Sequence, residues 1–175
     1  MISVFRLGHR LKRDARISTH CGLVARAFGA NEIIFSGEND AKLIEGVKKV
    51  AKRWGGKFYI KYEKNWKKTI KSYKKKKFSI CHLTMYGLPI NKEIRKLRKR
   101  GNLLLVIGGE KVPGEVYVES DHNIAVTNQP HSEVAALAIF LHEYFKGKEL
   151  NKKFIKARLR IIPQVKGKGV IEHQQ

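Results

Sequence analysis

Short apolar runs alternate with segments of helical periodicity along most of the chain. Strand-length apolar runs are found at residues 2–7, 32–35, 58–62, 78–83, 103–107 and 124–126. Between these runs, apolar residues recur at the spacing of one helix face, as they do at Leu43, Val47 and Ala51. This alternation predicts an α/β fold, with a mostly parallel sheet and helices on both of its faces.

The first helix is expected to begin near Ser18 or Thr19, because either side chain can cap it, and to end at Gly29. Residues 8–16, which precede it, are then a loop dense in cations.

The alternation stops after Gly147, and a different pattern follows. Residues 151–175 are predicted to form a C-terminal extension with two short strands around residues 163–169, which is typical of a β-hairpin. Residues 1–150 are predicted to form one compact domain.

Segments of small or polar residues follow three of the predicted strands, at residues 83–89, 108–113 and 126–132. In an open α/β sheet, ligands bind at the carboxyl ends of the strands. Gly108 and Gly109 allow a ligand to approach the backbone closely. Each segment alone is equally well explained as a tight turn. Together they favour a pocket in which main-chain groups hold an adenine-bearing ligand.

Several familiar signatures are incomplete. The first strand leads into Gly8-His9-Arg10, so the dinucleotide-binding glycine fingerprint is missing. Glu115 stands where a phosphate loop requires lysine, and no second histidine completes a zinc-protease helix at His142. Cys21 and Cys81 lie in apolar contexts without metal-ligand spacing. We therefore expect buried free thiols and no bound metal.

Charge changes the picture most. The chain carries 37 basic and 15 acidic residues, a formal net charge of +22. Adaptation to heat raises glutamate together with lysine, so it does not explain this imbalance. A polyanionic partner does, and the balance favours a nucleic acid. Residues 10–16, 74–77 and 92–100 are candidates for backbone contacts, although each is also compatible with a solvated run of charge.

Compartment can be predicted from the absence of long apolar segments. No apolar run in the sequence reaches the roughly 18 residues of a membrane span. The first residues resemble a strand and not a signal peptide. We expect a cytoplasmic protein that does not associate with membranes.

Three segments carry a resemblance to a known family. Residues 103–109, and residues 123–130 with the alanine-rich helix after them, resemble the two cofactor-binding motifs of SPOUT (SpoU-type) methyltransferases. Residues 13–30 resemble the first motif of that family and end in the same Ala-Phe-Gly. With residues 7–10 and 82–87, the similarity narrows to archaeal enzymes that methylate the ribose of tRNA cytidine 56.

This resemblance implies properties that spacing alone does not show. It implies S-adenosylmethionine as the methyl donor, bound within a C-terminal trefoil knot. It implies tRNA as the substrate and a homodimer whose active site uses both subunits. The implied cofactor-binding residues are Leu83, Thr84, Met85, Tyr86, Gly87, Gly108, Gly109, Glu110, Lys111, Val112, Val126, Thr127, Asn128, Gln129, Pro130, His131, Ser132 and Glu133. The implied substrate-binding residues are Arg10, Arg13, Asp14 and His20.

A ribose 2'-hydroxyl is a poor nucleophile, so the developing oxyanion needs stabilisation. SpoU-type relatives place an arginine of the first motif at this point, but the usual spacing is not kept here. Counted back from Phe28, that position falls near Gly22 and Leu23. The candidates are Arg16 and Arg26. We favour Arg16, because it belongs to the predicted loop after the first strand, whereas Arg26 lies near the end of a predicted helix.

Two other functions remain open at this level. A non-catalytic RNA-binding α/β protein explains the charge but leaves the small-residue strand ends unused. A SPOUT enzyme that methylates a base in ribosomal RNA explains both features.

Overall fold

The computed structural model describes residues 1–109 and 111–173. A six-stranded sheet has the order β3-β2-β1-β5-β4-β6, and every pair in it is parallel. Its strands are β1 (Ile2–His9), β2 (Glu32–Gly37), β3 (Tyr59–Tyr62), β4 (Ser79–Pro89), β5 (Leu103–Gly108) and β6 (His122–Ala125). The α-helices are α1 (Leu11–Ala27), α2 (Ala41–Trp54), α3 (Trp66–Lys75), α4 (Ile90–Arg98), α5 (Gly114–Glu119) and α6 (Glu133–Phe145). The predicted α/β fold with a parallel sheet is confirmed.

The sheet is covered on both faces. Side chains alternate along each strand, so neighbouring residues of β1 enter different clusters. Val4 packs with apolar residues of α1, α2, α4 and α6, whereas Phe5 packs with residues of α3 and α5. Cys21 and Cys81 are buried and free, as predicted, and burial raises the pKa of the Cys21 thiol to about 12.

Helix α1 begins at Leu11, so the predicted start near Ser18 or Thr19 is wrong. The carboxylate of Asp14, in the first turn, accepts hydrogen bonds from the backbone N–H and the guanidinium of Arg10. Ser18 does not cap the helix, because it lies within it, and its hydroxyl is 2.9 Å from Nδ1 of His9. The cations of this segment are therefore largely presented by a helix and not by a loop.

Strand β4 is longer than predicted and irregular. It pairs with β6 at Leu83 and again at Leu88, with a register shift between the two. The residues after Leu83, which were predicted to form a loop, therefore interrupt the pairing with β6 but remain part of the strand. Helix α5 was not predicted, because six residues are too few for a clear apolar periodicity.

The residues after α6 form a short 3-10 helix (Lys148–Asn151) and a two-stranded antiparallel sheet of β7 (Leu159–Ile162) and β8 (Gly169–Glu172). This segment docks on the end of α2, where Gly56 N–H donates to the carbonyl of Ile155 at 2.8 Å. Among residues 1–109 and 111–173, no helix has the length and apolar character that crossing a membrane requires.

Candidate active site

A cavity of about 500 Å³ lies at the carboxyl ends of β4 and β5 and beside the start of α6. This is the edge of a parallel sheet at which ligands bind, and the volume lies within the roughly 300–1,000 Å³ of small-molecule sites. Its lining residues are Ile17, His82, Leu83, Thr84, Met85, Tyr86, Ile107, Gly108, Gly109, Val112, Tyr117, Pro130, His131, Ser132, Glu133 and Ala136.

Most of the residues predicted to bind cofactor meet in this cavity. Those that line it are Leu83, Thr84, Met85, Tyr86, Gly108, Gly109, Val112, Pro130, His131, Ser132 and Glu133. Those that do not are Gly87, Lys111, Val126, Thr127, Asn128 and Gln129. Glu110 lies outside the described residues. The three segments predicted from the sequence thus come together as one site.

Two predicted residues that do not line the cavity support its wall. The side-chain amide of Asn128 donates to the carbonyls of Met85, at 2.6 Å, and of Gly87, at 3.2 Å. At Gly87 a Cβ atom would lie 2.5 Å from the carbonyl oxygen of Asn123. Only glycine therefore permits this close crossing of β4 and β6.

A polar network on one wall was missed by the sequence reasoning. His82 Nδ1 lies 3.0 Å from Oδ1 of Asn123, and its ring packs edge-on against Tyr117. The hydroxyl of Tyr117 lies 3.3 Å from that of Thr84. Burial lowers the pKa of His82, so its ring is neutral at neutral pH. A histidine within an otherwise apolar strand was the signal that could have revealed it.

A buried arginine fastens the elements around the cavity. Arg6 of β1 is 0% exposed and donates to Glu133 Oε1 at 2.8 Å. It also donates to the carbonyl of Leu7 and lies 3.8 Å from Oδ2 of Asp14. Burial raises the pKa of Glu133 even though Arg6 opposes this rise. A charged residue within an apolar strand is the sequence feature that could have indicated this buried ion pair.

Of the predicted substrate-binding residues, Arg10, Arg13 and Asp14 lie at the start of α1 and His20 lies near its middle, and none of them lines the cavity. Arg13 and His20 are exposed, Arg10 is half-buried and Asp14 is buried. The pKa of Asp14 is lowered, first by the hydrogen bond from Arg10 and, against the effect of burial, by the charge of Arg6. Asp14 is therefore held by two arginines and fixes the entry into α1.

The two candidate arginines have different surroundings. Arg16 is exposed on α1 and borders a shallow depression beside residues 39–43, so its predicted position in a loop is wrong. Arg26 is buried; its guanidinium donates to the carbonyl of Gly55 at 2.7 Å and lies 4.4 Å from the centre of the Phe154 ring. Within one subunit, neither residue lines the cavity. Of the two candidates, Arg16 is exposed to solvent and Arg26 is not.

A chain of serine, histidine and aspartate is also present at the end of β1. Ser18 lies 2.9 Å from His9 Nδ1, and Asp40 lies 3.4 Å from His9 Nε2. Because Ser18 is 0% exposed, its hydroxyl has no access to a substrate, and a hydrolase is excluded at this point. Among the described residues, no group of three or more His, Cys, Asp or Glu side chains could hold a metal ion.

The fold is that of SpoU-type methyltransferases. A. aeolicus TrmH/SpoU tRNA modifying enzyme superposes with a TM-score of 0.63 at 18% identity, over 86% of this chain and 76% of that one. The SpoU methyltransferase AviRb from Streptomyces viridochromogenes, solved with AdoMet, gives a TM-score of 0.60 at 11% identity, over 85% and 60% of the two chains.

The particular family follows from closer relatives. Residues 54–171 match the model of the family described as tRNA ribose 2'-O-methyltransferase, aTrm56. The tRNA (cytidine(56)-2'-O)-methyltransferase of Methanothermobacter thermautotrophicus is 52% identical over 98% of this chain and 96% of its own. The protein of that name from Methanocaldococcus jannaschii is 50% identical over 100% and 98%. The chain belongs to this family of tRNA ribose 2'-O-methyltransferases, and the predicted resemblance is confirmed.

Proposed function

We propose that this protein transfers a methyl group from S-adenosylmethionine to the ribose 2'-hydroxyl of cytidine 56 in tRNA. The observation that carries this proposal is the cavity of about 500 Å³, formed by the three strand-end segments, in a chain half identical to enzymes named for that reaction. We further propose that it acts in the cytoplasm as a homodimer.

The residues around the cavity fit the cofactor. Leu83, Ile107 and Val112 offer apolar surface to an adenine ring. At Gly108 a Cβ atom would collide with the Val112 side chain, so the backbone itself forms the wall. Glu133 Oε2 is buried without a hydrogen-bond partner in the part of the chain that the structure describes. This oxygen could accept a hydrogen bond from the ammonium group of the cofactor, which supplies an electrophilic methyl group when bound.

Arg16 is the proposed catalytic residue, and it acts from the partner subunit. A guanidinium stays protonated in proteins, so it stabilises the oxyanion that develops on the 2'-oxygen and does not remove the proton. Arg16 is exposed and does not line the cavity of its own subunit. A second subunit that placed α1 across the cavity would supply the missing charge. Ile17, the next residue along α1, already lines the cavity in the single chain.

We also infer that the chain is knotted around this site. The crossing at Gly87 and the hydrogen bonds from Asn128 to the carbonyls of Met85 and Gly87 support it, because they fasten the β4 extension against the segment after β6. An ordinary doubly wound sheet does not need such a crossing, since its connections do not pass through one another.

The proposed function is tested with labelled S-adenosylmethionine and unmodified tRNA transcripts. We expect one product nucleoside, 2'-O-methylcytidine, mapped to position 56. The matched control is the same tRNA assembled with 2'-deoxycytidine at position 56, which removes only the acceptor hydroxyl and should accept no label. Label in a base, or in ribosomal RNA alone, would indicate the base-methylating alternative. Binding of tRNA without transfer would indicate a non-catalytic RNA-binding protein.

A further inference from the structure

A second cavity of about 500 Å³ lies between α3 and α5, away from the cofactor cavity. Its floor is apolar and partly aromatic. Ile70 is 1% exposed at the base, Trp66 is half-buried beside it, and Val118 of α5 is 85% exposed. Ile70 belongs to the buried cluster on this face of the sheet and Trp66 packs against that cluster, so the exposed apolar surface of the groove is mainly Val118 and the open side of Trp66.

The rim of this groove is basic. Lys67, Lys71 and Lys74 line it, and their spacing places them on one face of α3. The sequence around them contains no acidic residue between Glu63 and Glu93. Three more lysines, Lys75, Lys76 and Lys77, follow directly. Part of the chain's excess positive charge thus lies along α3 and the residues after it, beside this groove.

We propose that the groove between α3 and α5 binds the sugar–phosphate backbone of the substrate tRNA, outside the nucleotide that is methylated. The lysines contact phosphates, and the apolar floor with Trp66 accommodates a ribose or a base face. This inference rests on the proposed function only in taking tRNA as the polyanion. The occupant is a nucleic-acid backbone because the rim offers clustered cations without shape-specific polar groups.

Two glutamates of α5 occupy the phosphate positions when tRNA is absent. Glu115 lies 2.6 Å from Lys67, and Glu119 lies 2.8 Å from Lys74. All four side chains are at least 36% exposed, so these ion pairs are worth little in water. A polyanion that releases condensed counterions on binding can displace them. The glutamates therefore compete with tRNA for the lysines and weaken its binding.

The same short helix joins the groove to the cofactor cavity. Tyr117 lines the cofactor cavity, while Glu115, Val118 and Glu119 line the groove. A tRNA backbone held in the groove is therefore anchored on an element that also forms a wall of the cofactor cavity.

The test replaces Lys67, Lys71 and Lys74 together with glutamine. We expect the Kd for tRNA to rise about tenfold, and the slope of log Kd against log salt to fall by roughly two to three, because three phosphate contacts are lost. The maximal rate at saturating tRNA and the affinity for S-adenosylmethionine should not change. The matched control replaces Lys48, Lys49 and Lys52 with glutamine. These lysines are exposed on α2, so their replacement removes the same charge from the opposite face of the sheet.

A second variant is expected to change tRNA affinity in the opposite direction. Glu115→Gln with Glu119→Gln should tighten tRNA binding severalfold, since the lysines lose their competing partners. Unchanged binding in both variants, or equal weakening by the α2 control, would overturn the inference. If the wild-type protein methylates tRNA while the lysine variant binds tRNA with the wild-type Kd, the inference about the groove is contradicted and the proposed function is not. If the wild type neither binds nor methylates tRNA, the proposed function itself fails.

Discussion

The two halves of α1 differ in what holds them. The first half is fastened by ionic contacts: Asp14 is paired with Arg10, and Arg6 lies between Asp14 and Glu133 of α6. The second half is fastened by Arg26, which reaches the end of α2 and the ring of Phe154 in the C-terminal segment. The first half borders the cavity at the carboxyl ends of β4 and β5, and the second half borders the docking site of that segment.

This difference shows that residue type does not decide the role of an arginine on this helix. Arg16 and Arg26 are ten positions apart, which corresponds to roughly 15 Å along a helix and to different faces of it. One faces solvent and is available to a substrate or a partner subunit. The other is enclosed, and burial lowers its pKa. The helix thus holds the site at one end and the C-terminal segment at the other.

The largest expected effect is that of Arg16→Ala. We expect the single-turnover rate at saturating tRNA to fall by on the order of 100-fold or more, because an oxyanion partner is lost. The Kd for S-adenosylmethionine and the melting temperature should stay near wild type. Lys12→Ala, one helical turn earlier on the same exposed face, is the control and should keep its rate. A near-wild-type rate for the Arg16 variant would contradict its proposed role.

Mixed dimers sharpen this prediction. Gly108→Val fills the cavity wall and should inactivate its own site, because a Cβ atom there meets Val112. If Arg16 acts across the interface, a heterodimer of this variant with Arg16→Ala keeps one complete site. Random mixing of the two inactive proteins should then recover about a quarter of wild-type activity. No recovery would place Arg16 and the cavity in the same subunit.

Arg6→Met should have the next largest effect. It leaves the buried carboxylate of Glu133 without its cation, whereas Asp14 keeps its pair with Arg10. An unpaired buried charge typically costs about 3–5 kcal/mol. We expect a lower urea midpoint and weaker cofactor binding. The double variant Arg6→Met with Glu133→Gln should recover part of the lost stability. Additive losses would show that the two side chains are not coupled.

Arg26→Met should act on stability and not on chemistry. The loss of a charged hydrogen bond to Gly55 and of the contact with Phe154 is expected to cost about 2 kcal/mol. Proteolysis should become faster in the segment after residue 151. The single-turnover rate, measured well below the melting temperature, should equal that of wild type. A slower chemical step would contradict the assignment of Arg26 to stability alone, and with it the difference between the two halves of α1.

The smallest effect concerns acid stability through Asp14. Its folded-state pKa is lowered, so the carboxylate contributes stability that is present above its ordinary value of 3.8 and is lost as the pH falls through the folded value. Asp14→Asn should therefore flatten the dependence of unfolding free energy on pH below about pH 4. Glu143→Gln, on an exposed carboxylate, should leave that slope nearly unchanged. Equal slopes in wild type and the Asp14 variant would contradict the assignment.

The parts of the site that could be predicted are those with local signals. The apolar run of β5 is followed by Gly108 and Gly109, and this local pattern predicts the end of a strand whichever strands lie beside it in the sheet. The start of α1 was missed because its first turns carry charge on most faces, which hides the apolar periodicity. The roles of Arg6 and His82 were missed because each is a single polar residue in a strand that was otherwise assigned to packing. Tyr117 was missed because α5 itself was not predicted.

By itself, the sequence determined the alternation of strands and helices, the three small-residue segments, the excess of positive charge and the family. These properties depend on residues close together in the chain, or on composition, and they do not require long-range contacts. The tertiary structure decided which residues meet. Arg6 reaches Glu133, 127 positions away, and Arg26 reaches Phe154, only because parallel strands and packed helices bring distant segments together. Burial then assigns the roles, since a charge that is enclosed must be paired, whereas an exposed charge stays free to bind RNA.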